Sequence, residues 1–257
     1  MDLIKADDIV PYPDEVEALA KAIAQCGRPM TLSLSPGDKV DTNALQSFKK
    51  GNMLRVTPDI WDSQADIDKC FAAWRKWQGK EQPGFWIDMD MIPFGELLVM
   101  SPRPPGLTDE ETDNIKIKVA KSNGTFKPDF ALLAGRGWNR RSKLSKDQMY
   151  TFITMRALAA SPLMIGGDLV TLDEFSLQLI TNKQMITCNQ NGVMGSLVYD
   201  KDGIEVWNTP KKGTDHGWIG VFNRNDRSTS VQLSLISLGT NNKAKNFKIF
   251  GKIKLLQ

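Results

Sequence analysis

Apolar positions in this chain follow two different periods, and the change from one to the other divides it. In the first part, short apolar runs alternate with stretches whose apolar residues recur every three or four positions. Leu3-Ile4 stops abruptly at Lys5, Asp7 and Asp8, as a buried strand does where it opens into a polar pocket. A helix is predicted over residues 14–26, with Val16, Leu19, Ala20, Ile23 and Ala24 on one face, acids at its start and Gly27 at its end. Strands are expected at 30–35, 53–56 and 85–87. A helical turn over 43–50 lies between the first two. A helix from Asp62-Ser63 to about Trp77, carrying Ile67, Phe71 and Trp74, precedes the third. A further helix over 145–161 is stopped by Pro162, and a strand at 163–165 and a helix over 173–180 follow. After Gly195 the period falls to two, with short strands at 197–199, 204–207, 218–222 and 231–235. Turns at 200–203 and 223–226 separate them.

Strand and helix alternating at this spacing predict a parallel sheet with right-handed crossovers. The first four strand ends carry Lys5/Asp7/Asp8, Ser33/Ser35, Arg55/Asp59 and Asp88/Asp90. Polar groups gathered at the C-terminal ends of parallel strands are where a β/α barrel keeps its active site. An open doubly wound sheet fits the same alternation, but no Gly-rich dinucleotide loop accompanies it. Residues 1–195 are therefore expected to form a β/α domain and 196–257 a small antiparallel β domain. Within the first, 94–142 break the rhythm with Pro102, Pro104, Pro105 and Gly106, while 115–119 alternate like a hairpin strand. Such an excursion often shapes a substrate entrance.

Charge and composition narrow the chemistry. The 33 Lys and Arg against 30 Asp and Glu are scattered, and the densest basic clusters, 136–146 and 243–254, read as solvated faces and not as a nucleic-acid surface. No apolar run reaches the roughly 20 residues needed to cross a bilayer. Residues 1–10 lack the features of a signal peptide, which leaves the compartment open. Three dispersed cysteines form no disulfide framework, and Cys26 and Cys70 read as small buried hydrophobes on helices. His216, the lone histidine, sits in a turn. With no ligand cluster for zinc and no EF-hand spacing among the acids, no metal or cofactor is expected. Trp74 and Trp77 read as core, and Trp86, near a strand end, as the better platform for stacking on a sugar.

Two carboxylates at neighbouring strand ends suit glycoside hydrolysis with retention, where one attacks the anomeric carbon and the other protonates the leaving oxygen across about 5–5.5 Å. The words around these residues point the same way. Asp2-Leu3-Ile4-Lys5-Ala6-Asp7 resembles the strand-four motif of the α-galactosidase and melibiase group, glycoside hydrolase family 27 with its family 36 relatives. Gly27-Arg28-Pro29 with Ser33 resembles its strand-five segment. The run from Arg55 through Thr57-Pro58-Asp59 to Asp62 resembles strand six, and Trp86-Ile87-Asp88-Met89-Asp90-Met91 is similar to strand seven. Residues 157–169 and 181–190 look like the strand-eight region and the exit into a C-terminal β-sandwich.

The resemblance implies the C-terminal part of a TIM-type β/α barrel, about strands 4–8, followed by an incomplete antiparallel β-sandwich. It makes Asp7 the nucleophile and Asp59 the general acid/base, and has Lys5, Arg55 and Asp90 hydrogen-bond sugar hydroxyls; Ser35 and Trp86, at strand ends, are further candidates for contact with the sugar. Lys5, two residues from Asp7 on a strand, points to the same side and favours its ionised form. Asp59 needs its proton near neutrality, so burial beside Asp7 is expected. The substrate class is an α-galactoside oligosaccharide or glycan. Leu34-Ser35-Pro36 stands where the family often has Cys-Glu-Trp, which leaves galactose, N-acetylgalactosamine and β-L-arabinopyranose open. Family strands one to three have no counterpart, so the chain reads as an internal slice. Its exposed strand edges are expected to promote self-association, and a non-catalytic carbohydrate-binding or structural remnant is the alternative.

Overall fold

In the computed structural model, residues 2–7, 12–99, 114, 121, 138–234 and 236–239 are described. Strands β1 (Leu3–Asp7), β2 (Thr31–Ser35), β3 (Met53–Arg55) and β4 (Trp86–Asp88) form a parallel sheet in chain order. Helix α1 (Pro13–Gln25) crosses between β1 and β2, short α2 (Leu45–Phe48) between β2 and β3, and α3 (Gln64–Trp77) between β3 and β4. Pro13 opens α1, where a missing N–H costs nothing, and Asp14 and Glu15 favour its positive end. Ser63 caps α3 by accepting from the Asp66 N–H at 3.2 Å.

The strand alternation sorts side chains to two faces. Ala6, Leu32, Leu34, Leu54 and Ile87 are buried on one face, in a core with Val16 of α1, Phe48 of α2, and Ile67, Phe71 and Trp74 of α3. Lys5, Asp7, Ser33, Ser35, Met53, Arg55, Trp86 and Asp88 take the other. Trp74 and Trp77 are core residues, as expected, and so is Cys70. Cys26 is exposed, because α1 stops one residue short of it and Cys26 is only its C-cap.

The strand expected at 163–165 is reduced to one parallel bridge, Ile92 to Ile165. Pro162 brings no donor to that segment, and Gly167 closes it by passing so near residue 94 that a Cβ there would stand 1.8 Å from the Phe94 oxygen. The excursion begins and ends in an antiparallel ladder, β5 (Glu96–Val99) against β6 (Trp138–Arg141). The hairpin strand expected at 115–119 lies outside the described residues. Helix α4 (Lys146–Leu158) starts in a capping box of Ser145 and Gln148 and ends before Ala160, whose φ is +49°. Asp173 caps α5 (Glu174–Ile180). Helix α6 (Lys183–Gln190) has no strong apolar stripe to announce it; its signal is Asn182, whose side chain accepts from the N–H groups of Gln184 and Met185.

The last part is antiparallel: β7 (Ser196–Lys201), β8 (Ile204–Pro210) and β9 (Gly217–Asn223), in that order. Asp202 and Gly203, at φ +53° and +72°, make the two-residue hairpin turn that an Asp-Gly pair favours. The strand expected at 231–235 does not form over 231–234, where Val231, Gln232 and Ser234 are exposed and no face is buried; Leu235 lies outside the described residues. This sheet packs on α3. Trp207 stacks on Trp74 with ring centres 3.7 Å apart, and Phe222 meets Phe71 edge-on at 5.0 Å. Buried Glu205 accepts from Trp207 Nε1 and Arg224 Nη1, each at 2.9 Å, and pairs with Arg75 of α3 at 3.2 Å.

Candidate active site

Register aligns the polar face into rows. Asp7 is level with Ser35 and Arg55 with Asp88, and the β2–β3 register puts Ser35 level with Arg55. One row below lie Lys5, Ser33, Met53 and Trp86. The upper row is therefore a carboxylate, a hydroxyl, a guanidinium and a second carboxylate at adjacent strand ends.

Arg55 is the hub. It is 8% exposed, and every nitrogen of its guanidinium is used. Nε donates to the Thr57 carbonyl at 3.1 Å, Nη1 to Ser35 Oγ at 3.4 Å and Nη2 to Asp59 Oδ1 at 2.5 Å, while Nη2 lies 3.6 Å from Asp90 Oδ2. Burial acts to lower the Arg55 pKa, but the hydrogen bond to Asp59 and the charges of Asp90, Asp59 and Asp88 outweigh it and raise it. On the other side of Ser35 stands Asp7. The Ser35 hydroxyl, against the opposing effect of burial and with help from Lys5 and Arg55, holds the Asp7 carboxyl below the usual carboxylate range. Lys5 Nζ lies 3.3 Å from Asp7 Oδ1, as their two-residue spacing predicts. Asp7 and Asp59 thus flank the same Ser35–Arg55 pair.

Asp59 departs from expectation in one respect. Its side chain is 80% exposed and ion-paired with Arg55, not buried beside Asp7. It sits on the turn after β3, beyond the last sheet residue, where a strand-end pattern carries no information about cover. Asp90 has the left-handed φ of +72°, rare outside glycine. Its N–H donates to Asp88 Oδ1 at 2.8 Å, and its Oδ2 accepts from the Ile60 N–H at 2.7 Å. Burial pushes the Asp88 carboxyl up, against the pull of Arg156. Trp86 lies on the same face of the sheet, in the row of Lys5. It begins β4, a row below Asp88, with its indole nitrogen 3.5 Å from where a Cβ on Gly192 would stand. Among the described residues no group of three or more His, Cys, Asp or Glu is arranged to hold a metal ion, and no helix is long and apolar enough to cross a membrane.

A clamp that no local sequence pattern announces lies three residues beyond Asp59. Asp62, expected to share in capping α3, instead accepts a fork of two hydrogen bonds from Arg140 of β6, one at 2.8 Å, and a third from the Lys143 N–H at 2.6 Å. Arg140 belongs to a basic cluster that reads as a solvated face, and 78 residues separate it from Asp62, so no local pattern connects them. Burial acts to raise the Asp62 pKa, but the hydrogen bond from Arg140 and the others prevail and lower it. A folded-state pKa below the unfolded one stabilises above the unfolded value, about 3.9, and that contribution is lost as pH falls through the folded value. Asp62→Asn is expected to cost about 3 kcal/mol at pH 7, the low end for breaking a largely buried pair, since Arg140 is a quarter exposed. Urea unfolding at pH 7 and pH 3 checks this: the gap between variant and parent should shrink at pH 3, and an unchanged gap would contradict the assignment.

No protein-family model matches the chain. Alpha-galactosidase 2 of Arabidopsis thaliana is 24% identical over 225 residues, covering 87% of this chain and 45% of that protein. The solved structure of a GH27 β-L-arabinopyranosidase from Geobacillus stearothermophilus matches with a TM-score of 0.74 and 30% identity, over 93% of this chain and 49% of that one. A structure described as a putative α-N-acetylgalactosaminidase from Bacillus halodurans matches with a TM-score of 0.65 and 26% identity, over 93% of this chain and 48% of that one. The chain spans about half the length of the relatives it matches. Its parallel sheet with crossing helices and its antiparallel sheet correspond to part of a barrel and part of a C-terminal β domain. Over nine-tenths of its own length the chain is thus similar to about half of a glycoside hydrolase family 27 enzyme.

Proposed function

We propose that this chain carries the catalytic residues of a retaining glycoside hydrolase acting on terminal α-linked galactose or a close relative, α-N-acetylgalactosamine or β-L-arabinopyranose. In this reading Asp7 attacks the anomeric carbon, and Asp59 protonates the leaving oxygen and then activates water. Lys5, Ser35, Arg55 and Asp90 hold sugar hydroxyls. The observation that carries it is the shared hub: Asp7 and Asp59 stand on either side of Ser35 and Arg55, and Asp7 is kept ionised, as a nucleophile requires.

One observation supports a second reading as well. Asp59 is 80% exposed and ion-paired with Arg55, an arrangement equally open to a carbohydrate-binding remnant without turnover. Self-association through β1, an edge strand of the four-stranded sheet, belongs to either reading. The two are separated by offering the chain aryl α-galactoside, aryl α-N-acetylgalactosaminide and aryl β-L-arabinopyranoside, with calorimetric titration of the free sugars alongside. Release of the aryl alcohol from one of them supports the hydrolase. Sugar binding without release supports the remnant, and neither binding nor release contradicts both.

A further inference from the structure

Arg156 of α4 is 0% exposed, and nothing in the chemistry above uses it. Its Nη1 donates to Ser161 Oγ at 3.3 Å, and its Nη2 donates to the Met91 carbonyl at 3.3 Å and to Cys70 Sγ at 3.6 Å. The guanidinium carbon lies 4.8 Å from the centre of the Phe152 ring. Its Nε–H is buried with no partner among the described residues. A guanidinium enclosed this way is expensive to bury, and an apolar side chain of similar volume would fill the space at lower cost. Packing alone does not account for it.

What Arg156 touches does. Apart from Cys70 and Phe152, its contacts converge on the turn from Asp88 to Met91. It holds the Met91 carbonyl directly. It holds the Met89 N–H through Ser161 Oγ, which accepts from that group at 3.0 Å. Its charge acts on buried Asp88, whose Oδ1 accepts the Asp90 N–H. This is the turn that keeps Asp90 at φ +72°, a conformation unfavourable for a residue with a side chain unless its surroundings impose it. The result is an Asp90 carboxylate aimed at the Ile60 N–H and at Arg55.

We infer that Arg156 is a positioning residue: from inside the core it locks the Asp88–Met91 turn, so that Asp90 fixes Ile60 and thereby holds the loop bearing Asp59 against Arg55. The consequence for catalysis rests on the function proposed above, whereas the coupling from Arg156 to Ile60 does not, and the test reads the coupling without turnover. Amide hydrogen exchange is followed by NMR in the full chain, in Arg156→Met and in Ser161→Ala. In Arg156→Met the Ile60 amide is expected to exchange at least about tenfold faster, while amides of α1 and of β7 to β9 keep their rates and the thermal transition stays cooperative. Ser161→Ala, which cuts only the Met89 tether, is expected to speed Ile60 several-fold in the same selective way. Should Arg156→Met fail to fold, Ser161→Ala decides by itself. Unchanged Ile60 exchange in the folded variants, or acceleration spread evenly over all amides, would overturn the inference and leave Arg156 a general structural residue. A chain that shows the coupling yet cleaves no glycoside would refute the proposed function and leave the inference standing.

Discussion

Asp7→Asn is expected to lower turnover of an aryl α-galactoside by about a thousand-fold or more, the scale on which removal of a covalent nucleophile acts. Asparagine keeps the size and planarity of the side chain and can still accept a hydrogen bond from Ser35. What it loses is the negative charge and the oxygen that would bond to the anomeric carbon. Because the Asp7 side chain is 64% exposed and contributes little to the core, its stability should be nearly unchanged, so lost activity would report chemistry and not unfolding. Initial rates for parent and variant, with melting curves for both, are the check. Near-normal rates in the variant would remove Asp7 from its role.

The second large effect lies away from the site. Trp207→Ala is expected to destabilise the chain by about 3–5 kcal/mol, the range for truncating a fully buried large aromatic side chain. Trp207 is 0% exposed, stacks on Trp74 of α3, and donates its indole N–H to buried Glu205. Its removal opens a cavity between α3 and β8 and leaves that carboxylate oxygen without its indole donor. The same core continues through Phe71 and Phe222, so the antiparallel sheet and the parallel one should unfold together. A single denaturant transition, shifted to lower concentration with an unchanged slope, is the expected form. A loss under about 1 kcal/mol would show that the packing of β8 on α3 contributes little.

Features decided by local rules were legible in the sequence. Period-two alternation placed Lys5 with Asp7 and Ser33 with Ser35 on one face, because side chains on a strand alternate whatever surrounds them. The caps at Ser63, Ser145 and Asp173 and the Asp202-Gly203 turn follow from hydrogen bonds and φ preferences spanning only a few residues. What distance decides was not legible. Asp62 finds Arg140, 78 residues away, and Met89 finds Ser161, 72 residues away, and no periodicity encodes either meeting. Burial of Asp59 is expected because a general acid needs its proton near neutrality, yet exposure depends on what covers a loop, and nothing in residues 55–62 specifies that. The strand at 163–165 failed for a related reason. An apolar run bounded by Pro162 and Gly166 can satisfy a strand pattern and still have too few ladder partners to become one.

The proposed function turns on a covalent bond between the Asp7 carboxylate and the sugar, with Asp59 as its acid partner. Incubating the chain with a fluorinated, activated α-galactoside that forms the glycosyl intermediate but resists its hydrolysis tests this most directly, with intact-mass measurement and peptide mapping. One added sugar per chain is expected, located on the peptide containing Asp7 and absent from Asp7→Asn. No adduct, or an adduct on a residue other than Asp7, would contradict it.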